Sequence, residues 1–357
     1  MMRQSTEGAV GGSATMSAVV YDKPENFSVQ QIAVPAPGPG QVRVRLRRSG
    51  VCGTDIHLHH GEFSPKYPLV PGHEMAGVVE AVGENVQSLA PGDQVAINNR
   101  LDCGECAQCR RAMPMYCTNL IDHGVTAQGG FAEYVVVPAT RCHSGKGLTL
   151  DQLVFAEPMA CVMHGIDVLG VVPGANVLVF GAGTTGLLLA QALQASGAAS
   201  VTVAAPTASK LDLASNLGID HVVQIYRHDP AAGDQELKAL APDGFDIVVD
   251  ATGSPNVIAR TIDLTRSGGT IFLYGMASEN AQITLRPFEV FSRQLTIKGS
   301  FTQAFSMERG LAMLSSGRVR VDQLLTHRFE LSDYADALEA VRNDRSCIKA
   351  VIAQGDN

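Results

Sequence analysis

The stretch "VLVFGAGTTG" (177–186) decides the fold, because it joins a short apolar strand to a glycine loop and to the start of a helix. Gly181, Gly183 and Gly186 have G-x-G-x-x-G spacing. In this context the first glycine permits a tight turn, the second lets the backbone approach a pyrophosphate, and the third lets the helix pack on the sheet. We therefore predict a dinucleotide site at the helix N-terminus. The predicted loop contacts are Gly181, Gly183, Thr184, Thr185 and Gly186.

The end of the next predicted strand, "SVTVAA" (200–205), is where a unit of this kind that binds NAD usually carries an acidic residue for the ribose hydroxyls. Ala205 stands at that position instead. Thr207, Ser209 and Lys210 follow it, and their hydroxyl and ammonium groups suit a 2′-phosphate. We therefore predict that NADP is preferred over NAD, although NAD could still bind with fewer contacts.

Two regions of different periodicity divide the chain. Residues 17–160 contain short β-branched runs separated by turns rich in proline and glycine, for example "VRVRLRRSGV" (42–51). After about residue 165 apolar strands alternate with helical patterns, which is typical of a parallel doubly wound sheet. Beyond about residue 300 two helical patterns precede a final strand, "CIKAVIA" (347–353). The fold class predicted from this order is α/β.

The segment "CGECAQCRRAMPMYC" (103–117) holds four of the eight cysteines of the chain. Their spacing lets four thiolates reach one tetrahedral zinc ion. Four thiolates leave no open coordination position, so we predict a structural zinc rather than a catalytic one. A zinc site is favoured over disulfides because no secretory signal is recognised at the start of the sequence. The predicted ligands are Cys103, Cys106, Cys109 and Cys117.

A second set of possible ligands is spread over three motifs, "GVCGTDIH" (50–57), "VPGHEMAG" (70–77) and "FAEPMACVMHG" (155–165). One thiolate, one imidazole and a carboxylate would leave a zinc site with room for water or substrate. From the spacing alone this site is only suggested, because a histidine after Pro-Gly is often a turn residue. The candidate residues are Cys52, Thr54, His57, His73, Glu74 and Glu157.

Together these motifs resemble the zinc-containing medium-chain alcohol dehydrogenase family. The resemblance covers about residues 17–352 and includes "GGFAEYVVVP" (129–138) and "HRFELSDYADALEAV" (327–341). The motif "FAEP", which contains Glu157, resembles the sorbitol/polyol and threonine dehydrogenase branch of this family. In that branch a glutamate stands where the liver-type alcohol dehydrogenases have a cysteine ligand. The resemblance implies an NAD(P)-dependent dehydrogenase.

The same resemblance implies a division of the chain into domains. A GroES-like catalytic domain would contain residues 16–164 and 300–357, and a Rossmann domain that binds NAD(P), residues 165–299, would be inserted between them. Residues 1–15 are small, polar and rich in glycine, and we expect them to form a disordered extension.

Roles for the scattered residues also follow from the resemblance. Cys52, His73 and Glu157 would hold a catalytic zinc ion, and Glu74 would be a direct or alternating ligand. Thr54 and His57 match the proton-relay positions of the family. We therefore expect two zinc ions per chain, one catalytic and one structural.

The composition narrows the range of partners. A net charge of −8 argues against nucleic acid or an anionic membrane. No apolar run approaches the roughly 18 residues of a membrane span. We expect a cytoplasmic homo-oligomer, a dimer or a tetramer, that acts on a small-molecule alcohol.

The most favoured function is hydride transfer between a secondary alcohol, a polyol or sugar alcohol, and NAD(P). Two alternatives remain open from the sequence. One is the oxidation of an amino alcohol, as in L-threonine 3-dehydrogenase. The other is a nucleotide-binding protein without catalytic activity.

Overall fold

The computed structural model describes residues 14–145, 147–226 and 230–355. The predicted disordered extension, residues 1–15, lies outside the described residues apart from its last two positions, and the first strand begins at Thr15. Among the described helices none combines the length and the apolar character needed to span a bilayer.

The chain alternates between strands and helices along most of its length. The strands are β1 (Thr15–Lys23), β2 (Asn26–Ala33), β3 (Gln41–Val51), β4 (Glu74–Val82), β5 (Gln94–Ile97), β6 (Arg100–Leu101), β7 (Ile121–Asp122), β8 (Tyr134–Pro138), β9 (Cys142–Ser144), β10 (Asn176–Phe180), β11 (Ser200–Ala205), β12 (His221–Gln224), β13 (Phe245–Asp250), β14 (Thr265–Leu273), β15 (Thr296–Gly299), β16 (Leu325–Phe329) and β17 (Lys349–Ala353). The α-helices are α1 (Gly53–His59), α2 (Ala107–Arg110), α3 (Leu150–Leu153), α4 (Ala156–Leu169), α5 (Thr184–Ala195), α6 (Ala208–Asn216), α7 (Pro230–Leu240), α8 (Pro255–Leu264), α9 (Pro287–Ser292), α10 (Met307–Ser315) and α11 (Tyr334–Asn343). Short 3₁₀ turns cover Pro114–Tyr116, Ala139–Arg141 and Leu331–Asp333.

The predicted parallel doubly wound sheet is present. Its six strands run in the order β12-β11-β10-β13-β14-β15, and all the pairings are parallel. This order places the change of winding direction between β10 and β13, which is where open α/β sheets bind their ligands. The apolar run of β10 is fully buried from Val177 to Phe180, as expected for a central strand covered by helices on both faces.

A second, mixed sheet is built from both ends of the chain. Its path is β16-β17-β3-β4-β5-β9, and β8 also pairs with β3. The last strand, β17, runs antiparallel to β3, so that Val351 lies opposite Gly50. The cysteine-rich segment leaves this sheet as a lobe whose base is the short ladder of β6 and β7.

Helix α4 connects the two sheets. It packs against α5 and α10 on one side and against β4 and β5 on the other. One continuous apolar core contains Met159 of this helix, Leu187 of α5 and Val351 of β17. The first turn of α4 carries Glu157, so the packing of this helix fixes where that carboxylate lies between the two units.

Candidate active site and metal centres

Cys52 lies at the junction between β3 and α1, where it caps the helix N-terminus. Its backbone N–H donates to Asp55 Oδ2 at 2.9 Å, and the Asp55 backbone N–H donates to Cys52 O at 3.0 Å. These reciprocal bonds satisfy donors that the start of a helix leaves free. Thr54 Oγ1 lies 3.8 Å from Cys52 Sγ, so two of the predicted residues share the first turn of α1.

His73 and Glu74 lie where the chain enters β4. The antiparallel pairing of β3 and β4 places Glu74 opposite Gly50, two residues before Cys52. As a result, ligand atoms of Cys52, His73 and Glu74 all lie within 4.8 Å of one another. The fold therefore brings the Cys52 thiol to the imidazole and the carboxylate of two consecutive residues, His73 and Glu74, that lie more than twenty positions later in the sequence.

The surroundings of His73 suit a metal ligand. The side chain is buried, and its Nδ1 has no hydrogen-bond partner, since Asp55 Oδ1 lies 3.7 Å away. Burial alone would lower the pKa of His73, but Asp55 and Cys52 outweigh burial and raise that pKa well above its ordinary value. A buried imidazole nitrogen without a partner needs an explanation, and sulfur, nitrogen and oxygen donors together are the ligand set of zinc. The residues present fit a zinc ion.

Glu157 is near this cluster but is not among its closest members. It is buried in α4, and burial raises the pKa of its carboxyl group. The Cys161 thiol, one turn further along the helix, donates to Glu157 Oε1 at 3.3 Å. Of the two glutamates considered from the sequence, Glu74 is the one that the described structure groups with Cys52 and His73.

The four cysteines of the 103–117 segment converge as their spacing predicts. Their sulfur atoms lie within 4.8 Å of one another, with 3.5 Å between Cys106 and Cys109 and also between Cys103 and Cys117. Four thiolates around one zinc ion would be about 3.8 Å apart for a Zn–S bond of roughly 2.3 Å. Backbone N–H groups of Cys109 and Thr118 lower the pKa of Cys106, whereas burial and the neighbouring cysteines raise the pKa of Cys109. Without a cation among them, the four thiols therefore do not all ionise together.

The glycine loop has the geometry that a pyrophosphate requires. Gly181 has φ 112°, a left-handed conformation that favours glycine. A Cβ on Gly186 would lie 2.0 Å from Gly181 O, so only glycine lets α5 approach the loop. Gly183 caps α5, and nothing lies within 4 Å of the position of its missing Cβ. The loop therefore offers open backbone at the start of a twelve-residue helix.

The predicted contacts to a 2′-phosphate lie at the end of β11 and the start of α6. Ala205 is buried, Thr207 caps α6, and Ser209 is exposed in its first turn. The Lys210 ammonium already has a partner, because it donates to Cys347 O at 2.8 Å. In the glycine loop the Thr184 hydroxyl likewise donates to Ile348 O at 2.5 Å.

Comparisons with known proteins agree with this geometry. Residues 38–147 match the alcohol dehydrogenase GroES-like domain, and residues 184–316 match the zinc-binding dehydrogenase domain. D-arabinitol dehydrogenase 1 of Uromyces fabae is 38% identical over 340 residues, which cover 95% of this chain and 97% of that protein. The chain belongs to the zinc-containing medium-chain alcohol dehydrogenase family.

Two solved structures share the fold over nearly the whole chain. A protein of Sinorhizobium meliloti 1021 described as a zinc-binding dehydrogenase, bound to NADP, is 32% identical with a TM-score of 0.88 and covers 96% of this chain and 100% of its own. A short chain alcohol dehydrogenase, RspB, of Escherichia coli CFT073, complexed with NADH, is 30% identical with a TM-score of 0.86 over the same shares. The predicted family, the α/β fold with GroES-like and Rossmann units, and the class of NAD(P)-dependent alcohol dehydrogenase are confirmed.

Lys349 is a residue of this dehydrogenase that the sequence reasoning missed. Its ammonium forms an ion pair with Glu74 Oε2, and both side chains are buried. Burial alone would lower the pKa of Lys349, but the Glu74 carboxylate and Cys52 more than offset burial and raise it. A lysine in the otherwise apolar strand "CIKAVIA" was the available signal, because a buried charge needs a partner.

We predict that Lys349→Met destabilises the dehydrogenase by about 3–5 kcal/mol, because it leaves the Glu74 carboxylate buried without its cation. The double variant Lys349→Met/Glu74→Gln should regain most of this loss, since no buried charge remains unpaired. Urea denaturation of the three proteins after removal of the metal with a chelator measures both effects, because a zinc ion beside Glu74 would replace the cation that the substitution removes. Equal stability of Lys349→Met and the wild type would show that the ion pair between Lys349 of β17 and Glu74 of β4 does not stabilise the fold.

Proposed function

We propose that this dehydrogenase oxidises a secondary hydroxyl of a polyol or sugar alcohol with NADP⁺, and catalyses the reverse reduction. The observation that carries the proposal is the convergence of ligand atoms of Cys52, His73 and Glu74 within 4.8 Å, in a chain that also has an open glycine loop for a dinucleotide. The similarity to D-arabinitol dehydrogenase 1 supports a polyol as the substrate class.

The proposed mechanism assigns metal binding to Cys52 and His73, with Glu74 and Glu157 as the carboxylates that complete or exchange within the site. Zinc at this site would act as a Lewis acid that lowers the pKa of the substrate hydroxyl, and nicotinamide at the glycine loop would accept the hydride. His73 and Glu74 are buried and therefore lie away from bulk water. Charges within the site are for this reason weakly screened and interact strongly.

The proton of the alcohol is proposed to leave through Thr54 and His57. These two residues are three positions apart on α1, so their side chains lie on the same face of the helix. The Thr54 hydroxyl can accept one proton while it donates its own. His57 is 22% exposed at its side chain, which gives the proton an exit to solvent. His57 would thus act as the general base at the outer end of the path.

NADP is proposed as the preferred cofactor because β11 does not end in an acidic residue that would repel a 2′-phosphate. Ala205 ends that strand, and Thr207 and Ser209 offer hydroxyl groups close to it. Lys210 would contribute its charge from the same turn of α6. The relatives support both nicotinamide cofactors, since one was solved with NADP and one with NADH.

Two zinc ions per chain are part of the proposal. The cluster around Cys52 has the mixed ligands of a catalytic site, and the four-cysteine cluster has the closed ligand set of a structural one. The structural ion would hold a lobe in which only short elements, α2, β6 and β7, are found.

A homo-oligomer, a dimer or a tetramer, is also proposed. Phe288 and Phe291 of α9 are 72% and 80% exposed, and Ile297 of β15 is 41% exposed. Within the described residues β15 pairs only with β14, so one edge of the parallel sheet lies open beside these side chains. Monomeric proteins usually protect such edges and avoid large apolar patches. A second copy related by a twofold axis would cover the edge and the phenylalanines together.

The organisation of the chain is proposed as predicted, with residues 165–299 inserted between residues 16–164 and 300–357. The strands from β10 to β15 all belong to the parallel sheet, whereas β16 and β17 belong to the sheet that contains β3. We also keep a cytoplasmic location as a proposal, since all eight cysteines are free of disulfides.

The substrate class and the cofactor are tested with one panel. Polyols, sugar phosphates, L-threonine and simple alcohols are each assayed with NAD⁺ and NADP⁺, and kcat/KM is the quantity compared. We expect a polyol with NADP⁺ to give the highest value. L-threonine as the best substrate would replace the polyol proposal with amino-alcohol oxidation. No turnover in a protein that holds one zinc ion per chain would indicate a silent nucleotide-binding protein.

Cofactor preference should respond to two substitutions. Ala205→Asp should shift kcat/KM toward NAD⁺, because the new carboxylate binds the ribose hydroxyls and repels the phosphate. Lys210→Ala should weaken NADP⁺ more than NAD⁺, because only the 2′-phosphate loses a cation, whereas both cofactors lose the contact of Lys210 with Cys347 O. A wild type that prefers NAD⁺ tenfold or more, equivalent to about 1.4 kcal/mol, would refute the phosphate site.

Two cysteine variants separate the roles of the zinc ions. Cys52→Ser should lose one zinc equivalent and nearly all activity while it keeps its melting temperature near that of the wild type. Cys106→Ser, the matched control, should lose the other equivalent and melt at a lower temperature, because the binding energy of a structural zinc contributes to folding. Metal analysis, calorimetry and assay of both proteins measure these outcomes. Full turnover in Cys52→Ser would disprove the catalytic site.

A further inference from the structure

The turn that follows α1 places a carboxylate and an aromatic ring against His57. Glu62 Oε2 lies 2.6 Å from His57 Nδ1, and the Glu62 backbone N–H donates to His57 O at 3.0 Å. The Phe63 ring meets the imidazole edge to face, with 6.0 Å between the ring centroids. Two residues of the turn directly after α1 therefore set the orientation of the His57 side chain.

The backbone of this turn is unusual for the residues that it contains. Phe63 and Ser64 have positive φ values of 67° and 50°, in a region that residues other than glycine seldom occupy. Gly61 precedes them with φ 85°, and a Cβ there would lie 2.7 Å from Pro24 Cγ. Such conformations persist where the surrounding structure enforces them, and they cluster at functional sites. The backbone conformation of this turn therefore fixes the positions of Glu62 and Phe63 beside His57.

A second histidine–glutamate pair, between the residue that caps the C-terminus of α1 and the turn after β1, provides a comparison. His60 Nδ1 lies 2.9 Å from Glu25 Oε1, and these side chains are 37% and 65% exposed. The side chains of His57 and Glu62 are 22% and 30% exposed, and their contact is shorter. Because solvent screens the His57 pair less, the Glu62 carboxylate acts more strongly on its imidazole.

We propose that Glu62 is a positioning residue of the proton path, an inference that rests on the proposed role of His57. A carboxylate at Nδ1 stabilises the neutral tautomer that carries its proton on that nitrogen, which leaves Nε2 as the acceptor. When Nε2 takes up the proton of the alcohol, the carboxylate remains ionised and balances the charge of the imidazolium. Nε2 then releases the proton to water, and the starting tautomer is restored.

The tautomer can be measured without a substrate. Long-range ¹H–¹⁵N spectra of the zinc-loaded protein with labelled histidines report which ring nitrogen carries the proton. We expect Nδ1–H for His57 in the wild type and its loss in Glu62→Ala. The control Glu25→Gln should change only His60. A wild-type His57 that carries its proton on Nε2 would overturn the proposal, whatever the substrate of the dehydrogenase proves to be.

The kinetic test uses D-arabinitol oxidation at fixed pH with increasing imidazole buffer. Glu62→Ala should be slower by at least about tenfold at low buffer, and imidazole should restore the rate, because a free base can replace the impaired relay. Glu62→Gln keeps the hydrogen bond to His57 but not the negative charge. Its rate should therefore lie between the rates of the wild type and of Glu62→Ala. Glu25→Gln should match the wild type.

The other outcomes decide against the proposal in different ways. Wild-type rates in both Glu62 variants, beside a slow His57→Gln, would overturn the role of Glu62 and leave the relay intact. Wild-type rates in His57→Gln as well would overturn the relay itself. A slow Glu62→Ala that imidazole does not restore would indicate a packing role and would also overturn the proposal.

Discussion

The site depends on how closely three strands meet at Gly50. This residue lies in β3 opposite Glu74 of β4 and Val351 of β17. A Cβ on Gly50 would lie 1.8 Å from Glu74 Oε2 and 2.9 Å from Lys349 Cε. Only a residue without a side chain lets the carboxylate and the ammonium meet over β3, and two residues later the same strand delivers Cys52 to the metal cluster. The buried ion pair and the cluster of candidate metal ligands therefore both depend on the packing of these three strands.

The last strand also connects the metal site to the cofactor loop. Just before Lys349, the carbonyl groups of Cys347 and Ile348 accept hydrogen bonds from Lys210 and Thr184 of the parallel-sheet unit. Three consecutive residues thus contact the start of α6, the glycine loop and the carboxylate beside Cys52. Because hydrogen bonds and a continuous core join these parts, the spacing between the glycine loop and the cluster of Cys52, His73 and Glu74 is governed by packed protein contacts rather than by a flexible linker.

Features that depend on local spacing could be predicted from the sequence, and features that depend on register could not. The glycine loop, the strands of the parallel sheet and the four-cysteine cluster are each contained in a short segment, so their patterns were sufficient. The contact between Lys349 and Glu74 requires the pairing of β17 with β3, which no local pattern specifies. The grouping of Glu74, rather than Glu157, with Cys52 has the same origin, because it follows from the β3–β4 register and the packing of α4. The bond between Cys161 and Glu157 likewise follows only when α4 is known to be a helix, because the helix places the two residues one turn apart.

The position of β17 has a consequence for the order of events during synthesis. Domains tend to fold from the N-terminus as the ribosome releases them, yet the sheet that holds Cys52 lacks a central neighbour until residues 349–353 emerge. Until then Glu74 has no ammonium beside it. The end of β3 that lies beyond its pairing with β8, residues 48–51, also has no strand on that side in a nascent chain of more than three hundred residues. The parallel sheet, whose strands all lie between residues 176 and 299, can form meanwhile and bring β17 back toward β3. The sheet beside Cys52 is thus begun first and completed last, and a truncated product would carry Cys52, His73 and Glu74 without the last strand of that sheet.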